Sequence, residues 1–245
     1  MKDTRLIMGM PVTVEILDEG NVKKDIEDIF SFFVAIDNRF STYKKDSEIS
    51  AINAGKILLK DASLEMQEVF ALSEQTKQQT NGYFDIKKNK TYDPSGLVKG
   101  WAIFNASQKL LSKGYKNFYV EIGGDIQVSG KKQGEKWKIG IRNPFDRERI
   151  IKTICLEAQG IATSGTYIRG QHIYNPFKNT KEITDIVSLT VIGPNIYEAD
   201  RFATAAFSMG KKGIEFIAGL EGFEGYMIDA DGIATFTTGF ETYVC

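Results

Sequence analysis

With 245 residues, 42% of them hydrophobic and 26% charged, the chain has the make-up of an ordinary folded protein, long enough for one substantial domain or two small ones. That balance excludes intrinsic disorder. The formal net charge is −1 with both signs interspersed, which excludes the basic footprint of a nucleic-acid-binding protein.

The first ten residues, MKDTRLIMGM, hold no apolar core of a signal sequence. No later stretch approaches the ~20 apolar residues that a membrane helix needs. The expectation is a cytoplasmic chain, or an exported one if a leader has been removed. Alternation of Val12, Val14 and Ile16 predicts a strand. From Asp25 to Phe40, the residues Ile26, Ile29, Phe30, Phe33, Ile36 and Phe40 recur at helical spacing. A second helix is predicted from Ser63, its N-cap, to Gln79, ending near the turn pair Asn81-Gly82. A third begins near Leu97 and stops at Gly114. Strands follow at Phe118 to Ile122, Ile126 to Val128 and Trp137 to Ile141, read as a meander, then around Ile150 to Leu156 and Ile186 to Ile192. A last helix opens after Gly193-Pro194. With no repeat or linker visible, residues 1–245 read as one α+β unit, a single domain with room for two lobes. Cys155 and Cys245 lack CxxC or Cys/His spacing, so neither a zinc site nor a disulfide is expected and both read as bystanders.

Four constellations could carry chemistry. His172, the only histidine, lies in Gln171-His172-Ile173-Tyr174-Asn175-Pro176. A neutral imidazole can serve as general base, although a lone histidine is equally a satisfied surface or core residue. Asn195 can cap a helix and Glu198 can close a capping box; Asp200 and Thr204 then sit four residues apart on one face. Carboxylate and hydroxyl are hard oxygen ligands suited to Mg²⁺; the plain alternative is an exposed Asp favoured by the helix dipole. In Tyr92-Asp93-Pro94-Ser95-Gly96-Leu97-Val98-Lys99, Pro94 and Gly96 predict an irregular turn before the helix, and Lys99 offers a point charge for a phosphate. This matches neither a Walker A loop nor GxGxxG. Gly123-Gly124 between apolar half-strands signals a bulge, a hairpin turn or a close ligand approach, which the pattern leaves open.

In chain order, Met8-Gly9-Met10, Phe40-Ser41-Thr42-Tyr43 with Asp46 to Ser50, Thr80 to Asp85, Asp93 to Ala102, Gly123-Gly124-Asp125, Thr163-Ser164-Gly165, His172-Ile173 and Ala199 to Thr204 together resemble the ApbE flavin-transferase family. The resemblance implies an ApbE-like α+β fold, with mixed or antiparallel sheets and flanking helices. It implies Mg²⁺-dependent transfer of FMN from FAD, the substrate, to a threonine or serine hydroxyl of an acceptor flavoprotein, releasing AMP. Met8, Tyr43, Tyr83, Phe84, Asp85, Asp93, Lys99 and Ile173 would contact FAD. Asp200, Thr204 and the carbonyl of Gly96 would hold the metal, and His172 would be the base. Rival readings are a Mg²⁺-dependent FAD pyrophosphatase and a non-catalytic FAD-binding protein. This chain departs from the family pattern at Asn175, where the family has Asp, at Pro94-Ser95 in place of Leu-Gly, and at Ala203, where some relatives carry a further carboxylate.

Overall fold

The computed structural model describes residues 1–88, 90–146, 148–166, 173–177 and 182–245. In chain order its elements are β1 (Lys2–Ile7), β2 (Met10–Ile16), α1 (Val22–Phe40), α2 (Glu48–Asn53), α3 (Leu64–Gln79), β3 (Lys87–Lys88), β4 (Thr91–Tyr92), α4 (Ser95–Ser112), β5 (Phe118–Ile122), β6 (Asp125–Ser129), β7 (Trp137–Arg142), β8 (Ile150–Leu156), β9 (Gly160–Gly165), β10 (Ile186–Gly193), α5 (Ile196–Ser208), α6 (Gly213–Ala218), β11 (Glu224–Asp229) and β12 (Ala234–Phe236).

Helix α1 buries Ile26, Ile29, Phe30, Phe33, Ile36 and Phe40, the predicted face. Burying such a side chain contributes about 1.5–3 kcal/mol. Helix propensities differ by only ~0.7 kcal/mol among ordinary residues, so the face rather than propensity holds the helix in place. Ser63 caps α3 as expected, accepting the Met66 N–H at 3.3 Å. Helix α4 starts earlier than predicted: Ser95 and Gly96 form its first turn, with Pro94 at the cap position, instead of an irregular lead-in. Proline fits there because its preset φ suits a helix start and its missing N–H would have been unpaired anyway.

Eight strands form one sheet in the order β1-β2-β5-β6-β9-β10-β11-β12, and every strand pairing among the described residues is antiparallel. The meander reading of the middle section therefore fails at β7, which leaves the sheet to pair with β8 as a separate hairpin while β9 returns beside β6. Neighbouring residues of the sheet alternate between two apolar cores. Ala162, Val191 and Met227 join the core under the helices; Ile161, Ile192 and Ile228 join a second core. That second core packs against Trp137, Ile139 and Ile141 of β7, Ile154 and Leu156 of β8, and Phe240. A period of two residues per face explains this division.

Two tight hairpin turns stand side by side at one end of the sheet. Register pairs Ile7 with Met10 and Ile122 with Asp125, leaving Met8-Gly9 and Gly123-Gly124 as two-residue loops. All four residues have positive φ, the twist such loops require. This settles the paired-glycine motif as a hairpin turn. Met8 does the same without glycine's freedom, at a cost of roughly 1–2 kcal/mol.

The reading of the cysteines is corrected. Cys155 of β8 and the C-terminal Cys245 form a disulfide, with Cα atoms 5.8 Å apart across 90 residues of sequence. Spacing alone gave no sign of it, because the partners meet only once the C-terminal segment lies along β8, where Cys245 N–H donates to the Thr153 carbonyl at 3.1 Å. Thiol titration of the unfolded protein without reductant is expected to find no free thiol. Cys245→Ser is expected to lower unfolding stability by about 2–4 kcal/mol in urea titration; two free thiols would remove the bridge.

Candidate functional site

The first turn of α4 is the junction from which the site is built. Ser95 borders three adjoining hollows, and Asp93 borders two of them. The largest is a cavity of about 750 Å³, within the usual size of small-molecule and cofactor sites. Met8 and Gly123-Gly124 of the paired hairpins border it at one side, and Lys138 to Arg142 of β7 at another. Tyr43 stands at its edge and is 97% exposed, its ring without a stacking partner among the described residues. A smaller hollow of about 90 Å³ is bordered by Tyr83, Phe84, Asp85, Ile173, Tyr174, Gly96 and Thr204. A third, of about 120 Å³, takes in Met8, Tyr43 and Lys99.

Around these hollows the supporting contacts are specific. The Tyr83 ring lies edge-on against Phe177, with centroids 4.9 Å apart. The Asp85 carboxylate pairs with Lys77 at 2.7 Å. Phe84 is buried. Tyr174 donates its hydroxyl to the carbonyl of Asp85 at 3.1 Å, tying segment 173–177 across the smaller hollow. Asn175, one of the departures noted in the sequence, accepts the Phe177 N–H at 2.9 Å and so closes a local turn.

Helix α5 presents Asp200 and Thr204 on one face, as their spacing predicts. Asn195 caps it by accepting the Glu198 N–H at 3.0 Å. The reciprocal half of the capping box is absent: the Glu198 carboxylate binds Arg201 Nε at 2.8 Å, because the buried Arg201 guanidinium needs a counter-charge. Thr204 donates its hydroxyl to the Gly96 carbonyl at 3.3 Å, so two of the three expected metal donors touch. Asp200 is not the exposed, dipole-stabilising residue of the plain reading: it is 4% exposed and accepts the Gly100 N–H at 2.8 Å. Gly100 permits this crossing of α4 and α5. A Cβ there would lie 2.6 Å from the Asp200 Cβ and 2.9 Å from the Ile196 carbonyl oxygen.

At the border of these hollows lies a group of charges that the sequence showed only as separate fragments. Lys99 is 8% exposed and forms an ion pair with Asp125, which is 1% exposed. The ammonium approaches Asp125 Oδ2 off the hydrogen-bonding line, so that oxygen has a charge contact but no hydrogen bond. Asp125 Oδ1 accepts the Thr163 N–H at 3.1 Å. Lys99 Nζ is 3.9 Å from Asp200 Oδ1. Two carboxylates thus share one ammonium away from water. Burial first, opposed by Lys99 and reinforced by Asp125, pushes the Asp200 carboxyl up to about 7.

Among the described residues no cluster of three or more His, Cys, Asp or Glu side chains converges, so a cation here would need a mixed set of oxygens. Asp200, Thr204 and the Gly96 carbonyl make such a set, all hard donors of the kind Mg²⁺ takes, and the surplus carboxylate charge beside Lys99 suits a divalent ion. His172 lies outside the described residues. The other residues named from the sequence border these hollows, except Asp200, which is buried within ion-pair distance of Lys99. Sequence reasoning missed Asp125, visible only as the residue after Gly123-Gly124, and the β7–β8 wall, which carried no motif.

The sequence profile of the ApbE family matches residues 8–92 and 86–227 of the chain. A protein from Salmonella typhimurium named FAD:protein FMN transferase is 28% identical over 162 residues, 62% of this chain and 45% of its own length. One of the same name from Haemophilus influenzae is 25% identical, with 86% of this chain and 82% of the relative aligned. The chain thus spans under half the length of some relatives it matches and most of others. Among solved structures, flavin transferase ApbE from Vibrio cholerae superposes with a TM-score of 0.85 at 22% identity, over 99% of this chain and 98% of that one. The ApbE protein of Thermotoga maritima gives 0.87 at 22% identity over the same shares. At these identities the structures establish a shared fold.

Gly100→Ala is expected to force α4 and α5 apart and to destabilise the protein by about 1–3 kcal/mol in urea unfolding. An unchanged midpoint would mean that the crossing is not as close as described.

Proposed function

The chain belongs to the ApbE family, and from that premise we propose that it is an FAD:protein FMN transferase, moving the FMN half of FAD onto a threonine of an acceptor flavoprotein. The observation that carries this reading is the convergence at the start of α4. There the Gly96 carbonyl and Thr204 hydroxyl meet beside a cofactor-sized cavity, with Asp200 one helical turn away and Lys99 below.

FAD fits the chemistry of the lining. Tyr43 and Tyr83 offer flat faces to an isoalloxazine, and the Lys99 ammonium offers a point charge to a diphosphate. Held by Asp200, Thr204 and the Gly96 carbonyl, Mg²⁺ would neutralise charge on the diphosphate and on departing AMP. His172 takes the proton of the acceptor threonine as its oxygen bonds to the FMN phosphorus. The bond from that phosphorus to the bridging oxygen breaks, and AMP leaves with the bridging oxygen. Asn175, engaged in its own turn, takes no part in holding the cation in this reading.

No helix among the described residues is long and apolar enough to cross a membrane. The Cys155–Cys245 disulfide is chemistry of an oxidising compartment, which favours the exported alternative over the cytoplasmic one for the meeting with the acceptor.

Mass spectrometry of an acceptor incubated with the protein, FAD and Mg²⁺ is expected to show an FMN adduct on threonine and release of AMP. FMN and AMP without adduct would leave a pyrophosphatase; intact FAD would leave a binding protein. His172→Ala is expected to slow transfer by ~10²–10⁴-fold with FAD binding retained. Asp200→Asn is expected to keep the fold and to need far more Mg²⁺ for half-maximal rate. A wild-type rate for the first, or an unchanged Mg²⁺ titration for the second, would overturn the role given to that residue.

A further inference from the structure

Asp125 is almost wholly buried, yet one of its carboxylate oxygens has no hydrogen bond and is paired by charge with the Lys99 ammonium. A buried polar atom in that state calls for a reason, since leaving it unsatisfied is costly. Its setting is rigid. Asp125 opens β6 directly after the Gly123-Gly124 turn, and its other oxygen is held by the Thr163 N–H of β9 at 3.1 Å. Lys99 reaches down from α4 between two carboxylates. It is in contact with Asp125, while Asp200 Oδ1 stays 3.9 Å from the ammonium.

We propose that Asp125 is a positioning residue that holds the Lys99 ammonium off Asp200, so that Asp200 stays open to a divalent cation and Lys99 remains at the cavity beside it. The inference rests on the reading of Asp200, Thr204 and Gly96 as cation donors. Its physical basis is competition. An ammonium and a divalent ion seek the same carboxylate, and in dry surroundings the nearer anion captures the lysine. With Asp125 in place the capture occurs at β6. Without it, Asp200 is the one carboxylate among the described residues left in ion-pair reach of Lys99, and the ammonium would occupy the oxygen that the cation needs.

The test is a double-mutant cycle read by Mn²⁺ binding, followed by electron paramagnetic resonance of the free ion, with no turnover required. Asp125→Asn retains the Oδ1 acceptor for Thr163 and removes the charge that draws Lys99. It is expected to weaken Mn²⁺ binding about tenfold in the otherwise unchanged protein and about twofold or less in the Lys99→Met background, a coupling of the size seen for groups in contact. Asp125→Ser completes the same cycle should the amide variant fail to fold. Equal losses in both backgrounds would mean that Asp125 acts on the cation by its own charge and not through Lys99, and would overturn the proposal. So would an Asp125→Asn protein with unchanged Mn²⁺ affinity, or a wild-type protein that binds no Mn²⁺. FAD binding by the wild-type protein, followed by flavin fluorescence, is measured alongside. Failure there with the Mn²⁺ coupling intact sinks the flavin reading and leaves the role of Asp125 standing.

Discussion

The crossing of α4 over α5 at Gly100 governs the placement of the charged groups in this protein. With no side chain at Gly100, the α4 backbone comes close enough for its N–H to donate to the Asp200 carboxylate at 2.8 Å. That approach brings the first turn of α4 to Thr204 and sends Lys99, one residue before Gly100, toward the sheet and Asp125. A single glycine thus brings together a carboxylate, a hydroxyl, a carbonyl oxygen and an ammonium from two helices. The arrangement is costly without a ligand, because two carboxylates and one ammonium are withdrawn from water. The raised Asp200 carboxyl is the record of that cost.

The sheet supplies the other half of the design. Its residues alternate between a core under the helices and a second core under the β7–β8 hairpin, so the helices that carry the charged groups and the hairpin that walls the cavity lie on opposite faces. The cavity opens where the sheet ends, at the paired turns Met8-Gly9 and Gly123-Gly124. Turns of this kind leave backbone near the hollow without bulky side chains at the glycines. Met8 is the exception, held in a conformation that costs a non-glycine residue energy, and it borders both the main cavity and the hollow that leads to Lys99. Strain kept at a cavity edge is a mark of a functional position.

Much of the local structure was legible. The buried face of α1, the Ser63 and Asn195 caps and the Asp200/Thr204 pair follow from side-chain period and from which oxygens can reach an orphan N–H, and each was found where expected. Where local reading failed, a longer-range partner had prevailed. Glu198 leaves the capping box for Arg201, whose buried guanidinium outweighs one backbone N–H. The strand at Trp137 to Ile141 exists as predicted but pairs with β8 instead of continuing the sheet, because its apolar residues fill the second core.

The order of motifs from Met8 to Thr204 was enough to establish the family, since residue type and chain order are properties of the sequence itself. Hairpin turns, caps and helix faces are likewise determined within a few residues of chain. Only the tertiary structure decided that Asp125 meets Lys99, that Gly100 admits Asp200 from 100 residues away, that β7 walls the cavity, and that Cys155 finds Cys245 across 90 residues. Such contacts depend on strand register and on how closely two helices can cross, quantities set by the whole packed core and carried by no local pattern of residues.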